Sequence, residues 1–257
     1  MGEVSAISWT DATFNPWWGC TKVGPGCDHC YAEAFDKRIG GAHWGAGVER
    51  RYFGDKHWNE PLKWDRKAAK TGGRLRVFCA SMADVFDNEV AQIHRERLWG
   101  VIAQTPNLDW LLTTKRIGNA ADMGPAAWPA NVWVIITTVN QAELDRDARK
   151  LFELSVRVRA LSVEPQLDTV SIADYPWLDW VICGGESSHH ARPFHIEWAS
   201  LLQRECAGAG IAFHMKQAGA KPHMGGKRIY LKHDKGGDPS EWPESLRVRE
   251  FPDERQP

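Results

Sequence analysis

Apolar positions along this chain follow two rhythms that take turns. Short β-branched runs at residues 77–81, 110–114, 132–139, 158–163, 180–183 and 211–216 each predict a strand. The run 132–139 is apolar almost throughout, as in strands buried on both faces. Stretches with helical spacing lie between them. Residues 89–103 place Val90, Ile93, Val101 and Ile102 on one helix face, and a shorter helical piece follows Lys115 and Arg116. Asn140 with Glu143 three residues later reads as a capping box, followed by Leu144, Ala148, Leu151 and Phe152 at i, i+4, i+7 and i+8. A helix over 196–207 is expected to bury Trp198, Leu201, Leu202 and Cys206, with Gly208 and Gly210 ending it.

A first strand at 13–19 brings the count to about seven. Strands alternating with helices imply parallel pairing and right-handed crossovers, so the fold class is α/β and the best architecture a barrel, complete or open. Residues 43–70, rich in Trp and charge, interrupt the first crossover and are expected to cover one end of that barrel. Periodicity fades beyond Gln217. The expected organisation is therefore a barrel over 1–219 and an irregular, basic C-terminal extension over 220–257.

Composition narrows the class without changing that picture. With 43% hydrophobic and 25% charged residues among 257, the chain can bury an ordinary globular core. A formal net charge of −1 removes any global electrostatic case for nucleic-acid binding and leaves only local patches. No run approaches the ~18 apolar residues of a membrane span. Residues 1–10 lack the basic and apolar parts of a signal peptide, and Ala6 breaks the myristoylation pattern that Met1-Gly2 begins. The expectation is a cytoplasmic protein with no membrane partner, in which six cysteines are metal ligands or core residues before they are disulfides.

Three of those cysteines stand apart. Trp17-Trp18-Gly19-Cys20, then Cys27, Cys30, Tyr31, Ala32 and Glu33, put three thiols at x6 and x2 spacing in one loop containing Gly24, Pro25 and Gly26. Such a loop folds tightly. Cys30 opens a helix on which Tyr31, Ala34 and Phe35 are expected to face inward, and a helix N-terminus favours negative charge. Three thiolates suit a [4Fe–4S] cubane that keeps one iron open. Structural zinc, which takes four ligands, is the competing reading, with His29 or a distant Cys as the fourth. Cys79, Cys183 and Cys206 sit within strands or on an apolar helix face and read as core.

Further blocks are familiar. Residues 7–16 and the Cys30-Tyr31-Ala32-Glu33 turn are followed by Ala80-Ser81-Met82-Ala83-Asp84 and Leu112-Thr113-Thr114-Lys115-Arg116. Leu161-Ser162-Val163-Glu164-Pro165, Gly184-Gly185-Glu186-Ser187, Ala191-Arg192-Pro193 and Lys216-Gln217 complete the series. In this order, over about residues 7–219, they resemble the phage Gp37/Gp68 family (DUF5131), whose members look like divergent radical S-adenosylmethionine (SAM) proteins. The first cysteine gap departs from the usual radical SAM spacing, x6 standing where x3 is normal.

The resemblance implies a partial (β/α)6-type radical SAM-like barrel with an additional strand and an irregular C-terminal tail. It also implies an enzyme holding a [4Fe–4S] cluster on Cys20, Cys27 and Cys30, with SAM on the open iron and an electron donor as partner. Barrel sites lie at the C-terminal ends of strands. Ser81 and Asp84 are then placed for the SAM ammonium; Thr138, Asn140 or Glu164 for the ribose hydroxyls; Gly184 and Gly185 for close approach of the cofactor. Glu186 reads equally as a cofactor contact or as a cap or ion-pair partner of Arg192, whereas for Asn140 the helix cap is the preferred reading. Lys115, Arg116, Arg192 and Lys216 are candidates for an anionic substrate, and the basic segment 216–235 points to DNA, RNA or a nucleotide. The alternative is a non-catalytic nucleic-acid-binding protein stabilised by a zinc or iron–sulfur site.

Overall fold

The structure, a computed structural model, describes residues 4–252. Met1 and Gly2, read above for a lipidation signal, and the last five residues of the C-terminal extension lie outside them. Seven strands form one parallel sheet: β1 (Ala12–Thr13), β2 (Leu75–Cys79), β3 (Leu108–Thr114), β4 (Val132–Thr138), β5 (Val158–Val163), β6 (Trp180–Gly184) and β7 (Ala212–Gln217). They stand side by side in chain order, with β1 and β7 at the two edges. Helices α1 (Tyr31–Arg38) and α2 (Glu60–Thr71) lie between β1 and β2, α3 (Gln92–Ala103) before β3, α4 (Gln141–Phe152) before β5, and α5 (Ile196–Ala209) before β7. This is the α/β class expected from the strand–helix alternation, with a seven-stranded parallel sheet whose first and last strands are not paired to each other.

Two compact units share the chain: 1–23, 32–135 and 153–157 in the first, 24–31, 136–152 and 158–257 in the second. The first is built around Phe14, which has no exposed surface. Trp58, Trp64 and Trp110 meet its ring edge-on at 5.5 to 6.5 Å, and His57 stacks on it at 4.8 Å. Segment 43–70 thus supplies core to this unit through Trp58 and Trp64.

The expected strand 13–19 is two shorter ones. Ala12 and Thr13 pair with Val77 and Phe78 of β2, whereas Trp17 and Trp18 pair antiparallel with Tyr52 and Arg51. Pro16 lies between the pieces and has no N–H for a ladder. The helix expected from residue 89 begins at Gln92. Upstream, Asp84 and Asp87 bond the N–H groups two residues on, Phe86 and Glu89, at 3.0 and 3.1 Å, which holds the chain in turns. Ile93, expected on the buried face, is 65% exposed because nine residues at about 100° each put it half a turn from the buried Ile102; Val90 and Val101 are buried. On α1 the buried positions are Ala32 and Asp36 instead of Tyr31 and Ala34, because Asp36 bonds the backbone and ring of His43 at 3.1 and 2.9 Å.

In the second unit the predicted and observed elements agree more closely. The Asn140 side chain accepts from Glu143 N–H at 3.0 Å, and the Glu143 carboxylate accepts from Val139 N–H at 3.0 Å, a capping box displaced by one residue. Leu144, Ala148 and Leu151 are buried, whereas Phe152 at the helix end is exposed. Leu202 and Cys206 are buried on α5, Trp198 and Leu201 only partly, and Gly210 closes the helix in the left-handed region at φ 71°.

The C-terminal extension is more ordered than its sequence pattern suggests. Met215 N–H donates to Val248 and Glu250 N–H to Phe213, both at 2.9 Å, so residues 248–250 cover the β7 edge of the sheet. The indole of Trp180 adds a bond to Glu250 O at 3.0 Å. Among the described residues no helix is long and apolar enough to cross a membrane.

Candidate metal and cofactor site

Gly19 sets up the first cysteine. Its φ of 112° is one that other residues rarely adopt, and a Cβ there would lie 2.2 Å from His43 O. Next to it, Cys20 is half-buried, with Arg116 Nη1 3.2 Å from its sulfur. The same guanidinium reaches Asp84 at 3.3 Å and donates to Thr21 O. Asp84 in turn accepts from Thr114 Oγ1 at 2.8 Å and from Lys115 N–H at 3.0 Å. Arg50, fully buried against Asp87, donates to Thr21 Oγ1 at 2.8 Å and to the carbonyls of Gly45 and Val48. Burial pushes the Cys20 thiol up to about 11, with Arg116 opposing it. For Arg116 burial acts downward, but Asp84 and Cys20 outweigh it and its pKa is raised.

Ser81, Asp84 and Arg116 therefore sit in one network with Cys20's loop. Asn15, with no exposed surface, ties Ser81 Oγ at 3.0 Å and Met82 N–H at 2.6 Å. Asp84 and Arg116, expected at ligands, are both buried and spend their polar atoms on each other and on the loop.

The second unit holds Cys27 and Cys30, both partly exposed and both free thiols, as is Cys20. Between them His29 Nδ1 stands 3.0 Å from Glu186. The Glu186 carboxylate also takes the backbone N–H of Arg192 at 2.7 Å and its guanidinium. That guanidinium reaches back to Pro25 O at 2.8 Å and Asp28 at 3.3 Å, so one Glu–Arg pair straps the cysteine loop at three points. Burial works against ionised Glu186, but the Arg192 and His29 bonds win and hold its pKa below the usual carboxylate range.

At the end of β5, Glu164 pairs with Lys216 at 2.9 Å and accepts from Ser162 Oγ at 3.3 Å. A Cβ on Gly184 would come within 2.7 Å of the Glu164 carboxylate, and one on Gly185 within 2.7 Å of Ala218 O. Thr138, at the end of β4, is fully buried and its hydroxyl has no hydrogen-bond partner among the described residues. Asn140 is engaged as a helix cap. Among the described residues no three His, Cys, Asp or Glu side chains form a preassembled metal site.

A family model described as "Protein of unknown function (DUF5131)" matches residues 4–243. The chain belongs to that family. No curated protein matches it. Among solved structures, spore photoproduct lyase carrying a cysteine-to-serine substitution is 12% identical at a TM-score of 0.48, covering 84% of this chain and 58% of its own. A double mutant of that lyase with bound AdoMet and dinucleoside spore photoproduct is 12% identical at a TM-score of 0.44, covering 89% and 62%. The chain thus spans under two thirds of the length of these solved chains.

Three contributors escaped the sequence reading of this DUF5131 chain: Asn15, Arg50 with Asp87, and the reach of Arg192 to Pro25 and Asp28. The Asn15-Pro16 step and the Asp84–Asp87 turn were signals for the first two. The third bridges positions more than 160 residues apart, and nothing local announces it.

Proposed function

We propose that this chain is a radical SAM-type enzyme, holding a [4Fe–4S] cluster on Cys20, Cys27 and Cys30 and acting on a nucleic-acid base or nucleotide. The observation that carries the reading is three free, partly exposed thiols close together in sequence, Cys20 held by Arg116 within the first unit and the Cys27–Cys30 segment held by the Glu186–Arg192 strap within the second. The three core cysteines, Cys79, Cys183 and Cys206, are by contrast all buried.

The donor set fits the chemistry. Thiolates need positive neighbours, and Arg116 supplies one to Cys20. Since the three thiols do not stand as a preassembled ligand group, the cluster itself would complete the site, as metal binding commonly completes folding. When bound, cluster and SAM would supply one-electron cleavage of SAM and a radical able to abstract hydrogen.

The chain's own residues would hold, orient and shield. Thr138 offers a buried hydroxyl still free to bond a ligand hydroxyl. Gly184 and Gly185 keep the backbone bare beside Glu164, whose carboxylate Lys216 fixes in place. In this reading Asp84 and Arg116 position Cys20 and do not meet SAM or substrate directly.

Anaerobically reconstituted protein should contain about four irons and four sulfides per chain and convert SAM to methionine and 5′-deoxyadenosine under reduction. Zinc in place of iron, or a full cluster with no SAM turnover, would return the chain to the binding-module alternative.

A further inference from the structure

Three short strands of the second unit form a small separate sheet, in the order Lys227–Arg228, Pro222–Met224, Phe194–His195. His223 is the register partner of Arg228 on one side and of His195 on the other. Directly paired residues project from the same face, so these three side chains form one row. Their rings bear this out, with His195 and His223 centroids 5.3 Å apart.

Aromatic rings extend the row at both ends. Trp198 lies 4.4 Å from His195, and the Arg228 guanidinium sits 4.9 Å from the centre of the Tyr230 ring. Tyr230 is 81% exposed and Met224, the last strand residue before the hairpin turn, 47%. Charge here is one-sided: residues 221–235 contain Lys221, Lys227, Arg228, Lys232 and Lys235 against the single acid Asp234. Two acids outside the segment touch it and are committed to its backbone: Glu197 takes Gly225 N–H at 2.6 Å, and Glu241 takes the N–H groups of Lys232 and His233 at 2.6 and 3.0 Å.

We propose that this sheet face binds single-stranded nucleic acid. A ring left open to water beside a cation costs solvation and gains no core packing, whereas it offers a stacking platform to a base. The flanking lysines and Arg228 track phosphates. A duplex hides the base faces that the rings would use, so the strand recognised is an unpaired one. The inference rests on the nucleic-acid substrate class proposed above and names the surface that recognises it. Its test needs neither cluster nor SAM, so either reading can fail alone.

Fluorescence anisotropy of a labelled single strand of about 15 thymidines against the full-length protein is the experiment. Binding should weaken steeply with added salt and fall about tenfold or more in both Arg228→Glu and Tyr230→Ala, two exposed positions whose change leaves the core intact. A duplex of matching length should bind at least about tenfold more weakly. Absence of binding at low salt, variants that bind like the parent, or a duplex bound equally well would overturn the proposal.

Discussion

Arg116 holds Cys20 and Asp84 at once, its Nη1 standing 3.2 Å from the thiol sulfur and 3.3 Å from the carboxylate. Asp84 and Arg116 are both buried and Cys20 is half-buried, so the guanidinium is what allows a buried acid to stand beside a prospective thiolate. Replacing Arg116 by Ala should therefore destabilise the protein by about 3–5 kcal/mol, since Asp84 is left buried and unpaired. Urea unfolding would measure it, and a loss under about 1 kcal/mol would mean the pair is not buried as described.

Cys20 should alkylate slowly in metal-free protein. With its thiol at about 11, roughly one molecule in a thousand carries the thiolate at pH 8, and the rate should climb about tenfold per pH unit until near that value. Mass spectrometry of iodoacetamide-treated protein across pH 7–10 follows this residue directly. A rate that is already flat above pH 8 would contradict the environment described.

The Glu186–Arg192 strap carries a pH signature. Because the folded-state pKa of Glu186 is depressed, its ionised form stabilises the protein above the unfolded carboxylate value and that contribution is lost as pH falls through the folded one. Glu186→Gln should cost about 1–3 kcal/mol at pH 7, and the gap to the parent should close below about pH 4.5. Amide exchange in residues 24–31 should quicken in the variant. A gap independent of pH would show that the carboxylate charge is not what holds the loop.

Gly185 should tolerate a methyl group less well than Gly184. At Gly185 the new Cβ meets the backbone oxygen of Ala218 and the Phe194 side chain, whereas at Gly184 its nearest contact is the movable end of Glu164. Gly185→Ala is expected to lose about 1–3 kcal/mol and Gly184→Ala less, with Gly184→Ala mainly disturbing the Glu164–Lys216 pair. Thermal melts of the two variants rank them, and the reverse order would refute the packing argument.

Thr138→Val removes a buried hydroxyl that has no partner among the described residues, so it should stabilise the ligand-free protein by about 1 kcal/mol. If the hydroxyl serves a ligand, SAM affinity should fall at the same time. A destabilised Thr138→Val protein would mean that the hydroxyl is already bonded.

Most of the sheet was legible because its strands are long, β-branched and bounded by polar residues; β5 falls on the residues expected, Val158–Val163. The first strand splits because Pro16 has no N–H to continue a ladder, and Ile93 is exposed because it lies half a helical turn from Ile102. The cysteine motif and most of the strand-end residues could be picked out by type and spacing. Their partners could not, since Arg116 meets Cys20, and Arg192 meets Asp28, only through the folded sheet. The covered β7 edge was hidden for the same reason: its partner strand is an irregular segment with no periodicity of its own.

The most direct measurement is electron paramagnetic resonance of anaerobically purified, dithionite-reduced protein, with and without SAM. A reduced [4Fe–4S] signal whose shape changes when SAM is added is the expected result, together with its loss in Cys27→Ala. A cluster signal indifferent to SAM, or a zinc protein with no iron signal at all, would contradict it.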